Sequence, residues 1–141
     1  MIQRLQTLYL LLGAGLLGCF LALVGPWSEA AAPFLPWLGY ATTALAALGI
    51  AVGLLAIFLY KQRERQQAVI LTALVLTLLL VLALGGALAY LHFQVGMRVE
   101  EGEAVGYFTL LLPVAAYLAY WMARRGVRRD IALVRSMDRL R

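Results

Sequence analysis

Four long runs of apolar residues, free of Asp, Glu, Lys and Arg, alternate with short polar clusters along the chain. The runs cover residues 5–25, 37–60, 68–93 and 104–123. Each run has about the 20 residues, or more, that an α-helix needs to cross a bilayer. Backbone amides in hydrocarbon need internal partners, and the runs lack the alternation of a membrane β-barrel, so they predict helices. Because the connections are short, we expect an all-α membrane protein with a four-helix transmembrane bundle over residues 1–123.

The composition agrees with this reading. Of the 141 residues, 64% are hydrophobic and 13% are charged, whereas a soluble domain is near half apolar and a quarter charged. The net charge of +5 could indicate nucleic acid as a partner. The basic residues lie beside the apolar runs, however, so we expect membrane lipids with anionic headgroups as partners and no nucleic acid.

The basic residues are distributed unequally between the two sides of the predicted bundle. In a four-span arrangement Arg98 is the one basic residue on the first side, where four of the seven acidic residues also lie. The other eleven basic residues share the opposite side: Arg4, Lys61, Arg63, Arg65 and the seven arginines of residues 124–141. The positive side of a multi-pass protein normally faces the cytoplasm. We therefore predict that both termini are cytoplasmic.

Small residues recur every four positions in three of the runs. The rows are Ala14, Gly18 and Ala22; Gly49 and Gly53; and Ala115, Ala119 and Ala123. Such rows let helix backbones approach closely in lipid. We expect the first, second and fourth helices to pack through Gly18, Gly49, Gly53 and Ala119, and the leucine-rich third helix to face lipid. The open alternative is that alanine and glycine are simply abundant here.

Residues that could carry chemistry are few. The runs hold no acidic or basic residue at membrane depth, which argues against a pump and, less strongly, against an ion-coupled transporter. The single cysteine, Cys19, excludes an intramolecular disulfide, and the single histidine, His92, cannot supply paired haem ligands. The sequence contains no nucleophile elbow, phosphate loop or zinc-protease motif. We therefore predict no catalytic activity, no cofactor and no metal site.

Residues 124–141 are predicted to form a cytoplasmic amphipathic helix. Wound at about 100° per residue, this segment gathers apolar side chains on one half and arginines on the other. The arginines expected to contact a partner or lipid are Arg124, Arg125, Arg128, Arg129, Arg135 and Arg139. Asp130 and Asp138 interrupt the apolar half. A break at Gly126 would place Asp130 in a first helical turn, where the helix dipole favours an acid. We hypothesise that the tail folds back under the bundle and that one aspartate reaches Arg4 or the 61–65 loop. Adsorption of the tail to an anionic leaflet is the alternative.

The two ends of the chain resemble a known family. "MIQRLQTLYLLL" at residues 1–12 and "RRDIALVRSMDRLR" at residues 128–141 are similar to the opening and closing motifs of a small four-span family of Bacteroidota-type bacteria. That family is catalogued as a domain of unknown function. The resemblance implies a multi-pass protein of the bacterial inner membrane with cytoplasmic ends, and it implies no catalytic residues.

The sequence favours a non-catalytic accessory or scaffold subunit. Its basic tail would engage anionic lipid, another membrane protein or a cytoplasmic protein. The alternative is a small carrier or lipid-handling protein with a cleft between helices that bend at Pro113 and at residues 85–86. A water-filled cavity lined by Thr72, Thr77 and Thr109 would favour the carrier, whereas a closed core would favour the scaffold.

Overall fold

The described residues fold into four long helices and one short helix. The computed structural model describes the backbone of residues 2–95 and 104–138, without the side chains of residues 2–4, 27, 30, 95, 104–108 and 138. The helices are α1 (Ile2–Leu23), α2 (Gly25–Ala31), α3 (Leu38–Phe58), α4 (Arg63–Tyr90) and α5 (Ala104–Asp138), and a π-helical turn follows α4 at Leu91–Val95. The described residues are thus all-α, as the apolar runs predict.

Three helical segments are long and apolar enough to cross a membrane: Leu5–Leu23, Leu38–Phe58 and Arg63–Gln94. They match the first three predicted runs and are typical of a membrane protein. The fourth run, residues 104–123, is also helical as the first part of α5. It is not among these three segments, and the side chains of residues 104–108 lie outside the described part of the chain.

Some helix boundaries differ from the apolar runs because polar residues also favour helix. α4 begins at Arg63, five residues before its apolar run, because the sequence "RERQQ" contains good helix formers and neither glycine nor proline. The connection between the first two runs contains α2, which the sequence analysis did not predict. α2 has Pro26 in its first turn, where the missing amide proton has no intrahelical partner in any case.

The four long helices pack as a ring in the order α1, α3, α4, α5. α1 contacts α5 and α3, and α4 contacts α3 and α5. The prediction that the third span, now α4, is the more lipid-exposed helix is wrong. One third of its apolar segment is buried, the same share as in α1. In a closed ring every helix has two neighbours, so the leucine-rich sequence of α4 covers the core with one face and exposes the other.

Tyr120 of α5 joins three of the four helices at the centre of the ring. Its side chain is fully buried, and its hydroxyl donates a hydrogen bond to the carbonyl oxygen of Gly49 in α3 at 3.1 Å. The ring fits because glycines face it from two helices. A Cβ atom added to Gly13 of α1 would lie 2.6 Å from Tyr120 Cε1, and one added to Gly53 of α3 would lie 2.8 Å from Tyr120 Cζ. These contacts are too close for any side chain larger than hydrogen.

The residues of the small-residue rows have different surroundings. A Cβ added to Gly49 would lie 3.0 Å from Leu17 Cδ1, and Ala119 is buried. By contrast, a Cβ added to Gly18 would meet nothing within 4 Å, so the structure does not place Gly18 at a close helix approach. Gly13, which lies outside the predicted rows, is the glycine of α1 that faces Tyr120.

We expect Gly53→Leu to lower the stability of the protein strongly. The new side chain would occupy the volume of the Tyr120 ring, and overpacking of this kind destabilises by roughly 1–3 kcal/mol or more. Gly18→Leu is the matched control, because its Cβ points into open space. Thermal unfolding in mild detergent measures both variants. Equal losses of Tm would show that helix propensity, not the contact with Tyr120, decides the effect.

Tyr120→Phe isolates the hydrogen bond from the packing of the ring. Hydrogen bonds between membrane helices contribute on average about 0.6 kcal/mol, so we expect a small but measurable fall in the free energy of unfolding. Tyr117→Phe serves as the control, because Tyr117 is on the same helix and only partly buried. Chemical denaturation in mixed micelles gives both values, and an unchanged Tyr120→Phe variant would contradict the assigned bond.

Candidate functional site at the basic end of the bundle

The described basic residues of the protein collect at one end of the ring, which we call the basic end. It comprises the start of α1, the end of α3, the start of α4 and α5 from Trp121 onward. α5 continues through Gly126 as one helix to Asp138, so the tail does not break there or fold back as hypothesised. Gly126 instead allows α1 to come close, because a Cβ at this position would lie 3.0 Å from Gln6 Cγ.

Two ion pairs connect α4 to the tail part of α5. Arg63 Nη1 lies 3.2 Å from Asp130 Oδ2, and the side chain of Asp130 is only 17% exposed. Arg135 Nη2 donates to Glu64 Oε1 at 3.1 Å, and both of these side chains are largely exposed. We call this pair of contacts the α4–α5 clasp. The half-buried pair contributes more to stability than the exposed one, because water and salt screen exposed charges.

The clasp explains the aspartate in the apolar half of the tail helix. Asp130 lies on the side of α5 that faces the bundle, and the first residue of α4 supplies its counter-charge. This partner falls within the 61–65 segment named in the sequence analysis. Asp138 and Arg4 have side chains outside the described residues, and Arg139 lies outside them altogether.

Two glutamines are buried at the basic end. Gln66 of α4 donates a hydrogen bond from Nε2 to the carbonyl oxygen of Ala56 at 3.0 Å. Ala56 is in the last turn of α3, where carbonyl groups lack intrahelical partners, so Gln66 caps that helix from outside. Gln6 of α1 is also buried, and its Nε2 has no hydrogen-bond partner among the described residues.

One side of α5 carries arginines that the clasp leaves unpaired. We call Trp121, Arg124, Arg125, Arg128 and Arg129 the arginine face; together with Ala132 they line an open groove of about 510 Å³. The Arg125 guanidinium carbon lies 5.4 Å from the centre of the Trp121 ring. The spacing of three and four residues places these side chains on one side of a helix. Among the described residues, none of these four arginines forms an ion pair.

A second groove lies where the clasp holds the two helices together. Its volume is about 860 Å³, and it is lined by Glu64, Gln67, Arg128, Ile131, Ala132, Arg135 and Ser136. Arg128 and Ala132 line both grooves, so the two are adjacent along α5. The predicted contact residues Arg124, Arg125, Arg128, Arg129 and Arg135 all line one or both of these grooves.

The apolar half of the tail helix is divided between the bundle and solvent. Val127 is buried and Ile131 packs against the core. Farther along α5, Leu133, Val134 and Met137 are exposed by 52%, 39% and 62%. These three residues, which we call the distal apolar patch, have no covering helix among the described elements.

Sequence reasoning missed several residues of this end. Arg63 was predicted as a partner of a tail aspartate only as one residue of the 61–65 loop. The reason is that the third helix was predicted to begin at residue 68. Gln66 was placed in the connection of residues 61–67 between the second and third runs, and the buried Gln6 was placed in the first apolar run. Their polar amides inside or next to apolar runs were the available signal. The contact of Trp121 with Arg125 depends on the helix continuing past residue 123.

Few of the described side chains could take part in catalysis or bind a metal ion. No group of three His, Cys, Asp or Glu side chains among them could hold a metal ion. Thr42, Thr72 and Thr77 each donate a hydroxyl hydrogen bond to a carbonyl of their own helix. The arrangement at the basic end offers charge recognition: guanidinium groups, one aromatic ring and an exposed apolar surface.

Comparison with known proteins gives a family but no functional assignment. The model of a family described as "Domain of unknown function (DUF4293)" matches residues 37–140. This confirms the resemblance to a family catalogued as a domain of unknown function. No curated protein and no solved structure matches the chain.

Charge substitution at the clasp tests its contribution to the fold. We expect Asp130→Arg to destabilise the protein, because it places two arginines together in a half-buried site. The swap Arg63→Asp with Asp130→Arg restores the pair and should recover most of the loss. Glu64→Gln is the control and should change the free energy of unfolding by about 0–1 kcal/mol, the range for exposed pairs. Thermal unfolding at low and high salt measures all three, and a swap no more stable than Asp130→Arg would contradict the pairing.

Proposed function

Because the chain belongs to the DUF4293 family, whose function is unknown, we propose its role from the geometry of the basic end. We propose a non-catalytic integral protein of the bacterial inner membrane with four spans and both termini in the cytoplasm. It acts as an accessory or scaffold subunit, and α5 carries its docking surface into the cytoplasm. The unequal distribution of basic residues supports the orientation.

The continuity of α5 is the observation that carries this proposal. Transmembrane helices tilt by about 20° on average, with a range of about 0–40°. A straight helix that spans the membrane therefore projects from it instead of lying on its surface. At about 1.5 Å per residue, Met137 would lie about 21 Å beyond Ala123, whereas the headgroup layer is only about 5–8 Å thick on each side.

The distal apolar patch therefore lies beyond the reach of lipid in this arrangement. The clasp holds the helix that carries the patch against α4. A clasped helix loses less conformational entropy on binding than a mobile tail, which favours docking of a protein partner. Leu133, Val134 and Met137 supply the apolar contact, and Arg135 supplies a charge beside it.

The carrier alternative has less support. Thr72 and Thr77, two of the three threonines expected to line a cavity, donate hydrogen bonds to carbonyl groups of their own helix. Pro113, expected at a bend beside a cleft, is fully buried within α5. The centre of the ring is occupied by Tyr120 packed against glycines, which is the geometry of a closed core.

A photo-crosslinking residue placed at Met137 tests the docking role. In native membranes we expect one protein adduct of defined mass from this position. The same residue at Leu82, an exposed position on the apolar segment of α4, is the control and should give lipid adducts only. The adduct should disappear when Leu133→Ser is added, with Tm unchanged, because Leu133 is exposed. Lipid adducts from Met137, or a protein adduct indifferent to Leu133→Ser, would contradict the proposal.

A further inference from the structure

We infer that the arginine face is a binding site for the headgroup of an anionic phospholipid, with the lipid phosphate held by the guanidinium groups of α5. The inference rests on the proposed function for the membrane orientation of α5. It assigns the proximal part of the tail helix to lipid and leaves the distal apolar patch to a protein partner.

The first argument is the balance of charge at the basic end. Glu64 and Asp130 are the acidic side chains that the structure describes there, and the clasp engages both, with Arg135 and Arg63. Four arginines on one side of α5 therefore keep their full positive charge: Arg124, Arg125, Arg128 and Arg129. Arg124 is partly buried, and its Nε has no hydrogen-bond partner among the described residues. Among the described residues this cluster has no acidic partner, so it can bind an added anion.

The second argument is depth, and two helices agree on it. If the apolar run of α5 ends at Ala123, Arg124 and Arg128 lie about 1.5 Å and 7.5 Å beyond the hydrocarbon, within or at the edge of the headgroup layer. α4 gives a similar boundary independently. Its apolar run begins five residues after Arg63, and Arg63 pairs with Asp130, so the boundary projected onto α5 lies near residue 125, two residues from Ala123.

The third argument is the chemistry of the side chains. A guanidinium group binds phosphate through two parallel hydrogen bonds and is more weakly hydrated than an ammonium group. Trp121 lies at the level where tryptophan rings collect at membrane interfaces, and it is within cation–π distance of Arg125. The ring thus holds one guanidinium in position while its apolar part contacts the upper acyl chain.

A lipid fits this face better than a protein segment does. The face is level with the headgroups, so a cytoplasmic protein would have to enter that layer to contact Arg124 and Arg125. A lipid phosphate is present there already, at high local concentration. The open groove of about 510 Å³ is within the range of volumes that small-ligand sites occupy.

The test measures lipid binding by the purified full-length protein in neutral detergent. Phosphatidylglycerol and phosphatidylcholine are titrated separately, and native mass spectrometry counts the bound lipids. We expect wild type to prefer phosphatidylglycerol. Arg124→Gln with Arg128→Gln should reduce that preference by up to about twenty-fivefold, the product of about a factor of five for each arginine.

The matched control is Lys61→Gln with Arg65→Gln. It removes the same charge from exposed residues at the same end of the bundle but outside the arginine face, so it should change the preference much less. Equal losses in the two double variants would overturn the site, because net charge alone would then explain the binding. Competition by inorganic phosphate at concentrations near those of the lipid would also overturn it, in favour of a soluble phosphate ligand.

A second readout locates the lipid directly. With Trp27→Phe and Trp37→Phe, Trp121 is the remaining tryptophan of the chain. Brominated phosphatidylglycerol should quench its fluorescence more than brominated phosphatidylcholine does, and Arg124→Gln with Arg128→Gln should remove the difference. Equal quenching by the two lipids would overturn the inference.

The two proposals can fail separately. If wild type showed no preference for phosphatidylglycerol but still gave the Met137 adduct, the lipid site alone would be overturned. The docking role would stand. Loss of the Met137 protein adduct in the Arg124→Gln, Arg128→Gln variant, with lipid preference unchanged, would assign the arginines to the protein partner and overturn the lipid site.

Discussion

The Tyr120 ring occupies the space that Gly13 and Gly53 leave open, and the positions of the other helices depend on this contact. In lipid, helices gain little from burying apolar surface, so close packing and hydrogen bonds between helices determine which faces meet. The ring extends from α5 to both α1 and α3, and its hydroxyl binds the Gly49 carbonyl of α3. It therefore fixes α5 relative to two helices at once. α4 closes the ring through its own contacts with α3 and α5.

Fixing α5 at the centre also sets the register of the basic end. Asp130 lies ten residues beyond Tyr120 on the same uninterrupted helix, so the packing at the ring determines where its carboxylate is presented. There it meets Arg63, the first residue of α4, while Gly126 and Gln6 let α1 lie against the same stretch of α5. The clasp is consequently a result of core packing and not an independent surface contact. Once Asp130 and Glu64 are engaged, the arginines on the other side of α5 have no described acidic partner.

The sequence predicts the parts of this structure that depend on composition over many residues. The apolar runs locate the helices, because charged residues are excluded from hydrocarbon and collect in the connections. This pattern can be read without knowing which helices contact each other. The sequence does not predict which glycine matters. Gly18 belongs to a regular row of small residues and meets nothing, whereas Gly13 lies outside the rows and contacts Tyr120. The spacing of small residues describes one helix. Whether a glycine lies at a close helix–helix contact depends on how both helices are rotated about their axes. For the same reason the sequence indicates only that one of the two aspartates pairs with Arg4 or the 61–65 segment. It also allows a break at Gly126, whereas that glycine lies within α5 at a close contact with Gln6.

The end of α5 carries two separate surfaces, the arginine face and the distal apolar patch, which the amphipathic pattern of the sequence does not distinguish. Wound as an isolated helix, residues 124–138 have a basic half and an apolar half, and that pattern alone is typical of a helix lying flat on a membrane. In the proposed four-span arrangement α5 continues a span, and each turn then lies about 5.4 Å farther from the bilayer than the one before. Val127 and Ile131 are already covered by the bundle, so only the later apolar residues remain exposed. In that proposed arrangement, position along the helix axis, added to position around it, separates the arginines near the headgroups from the apolar patch beyond them.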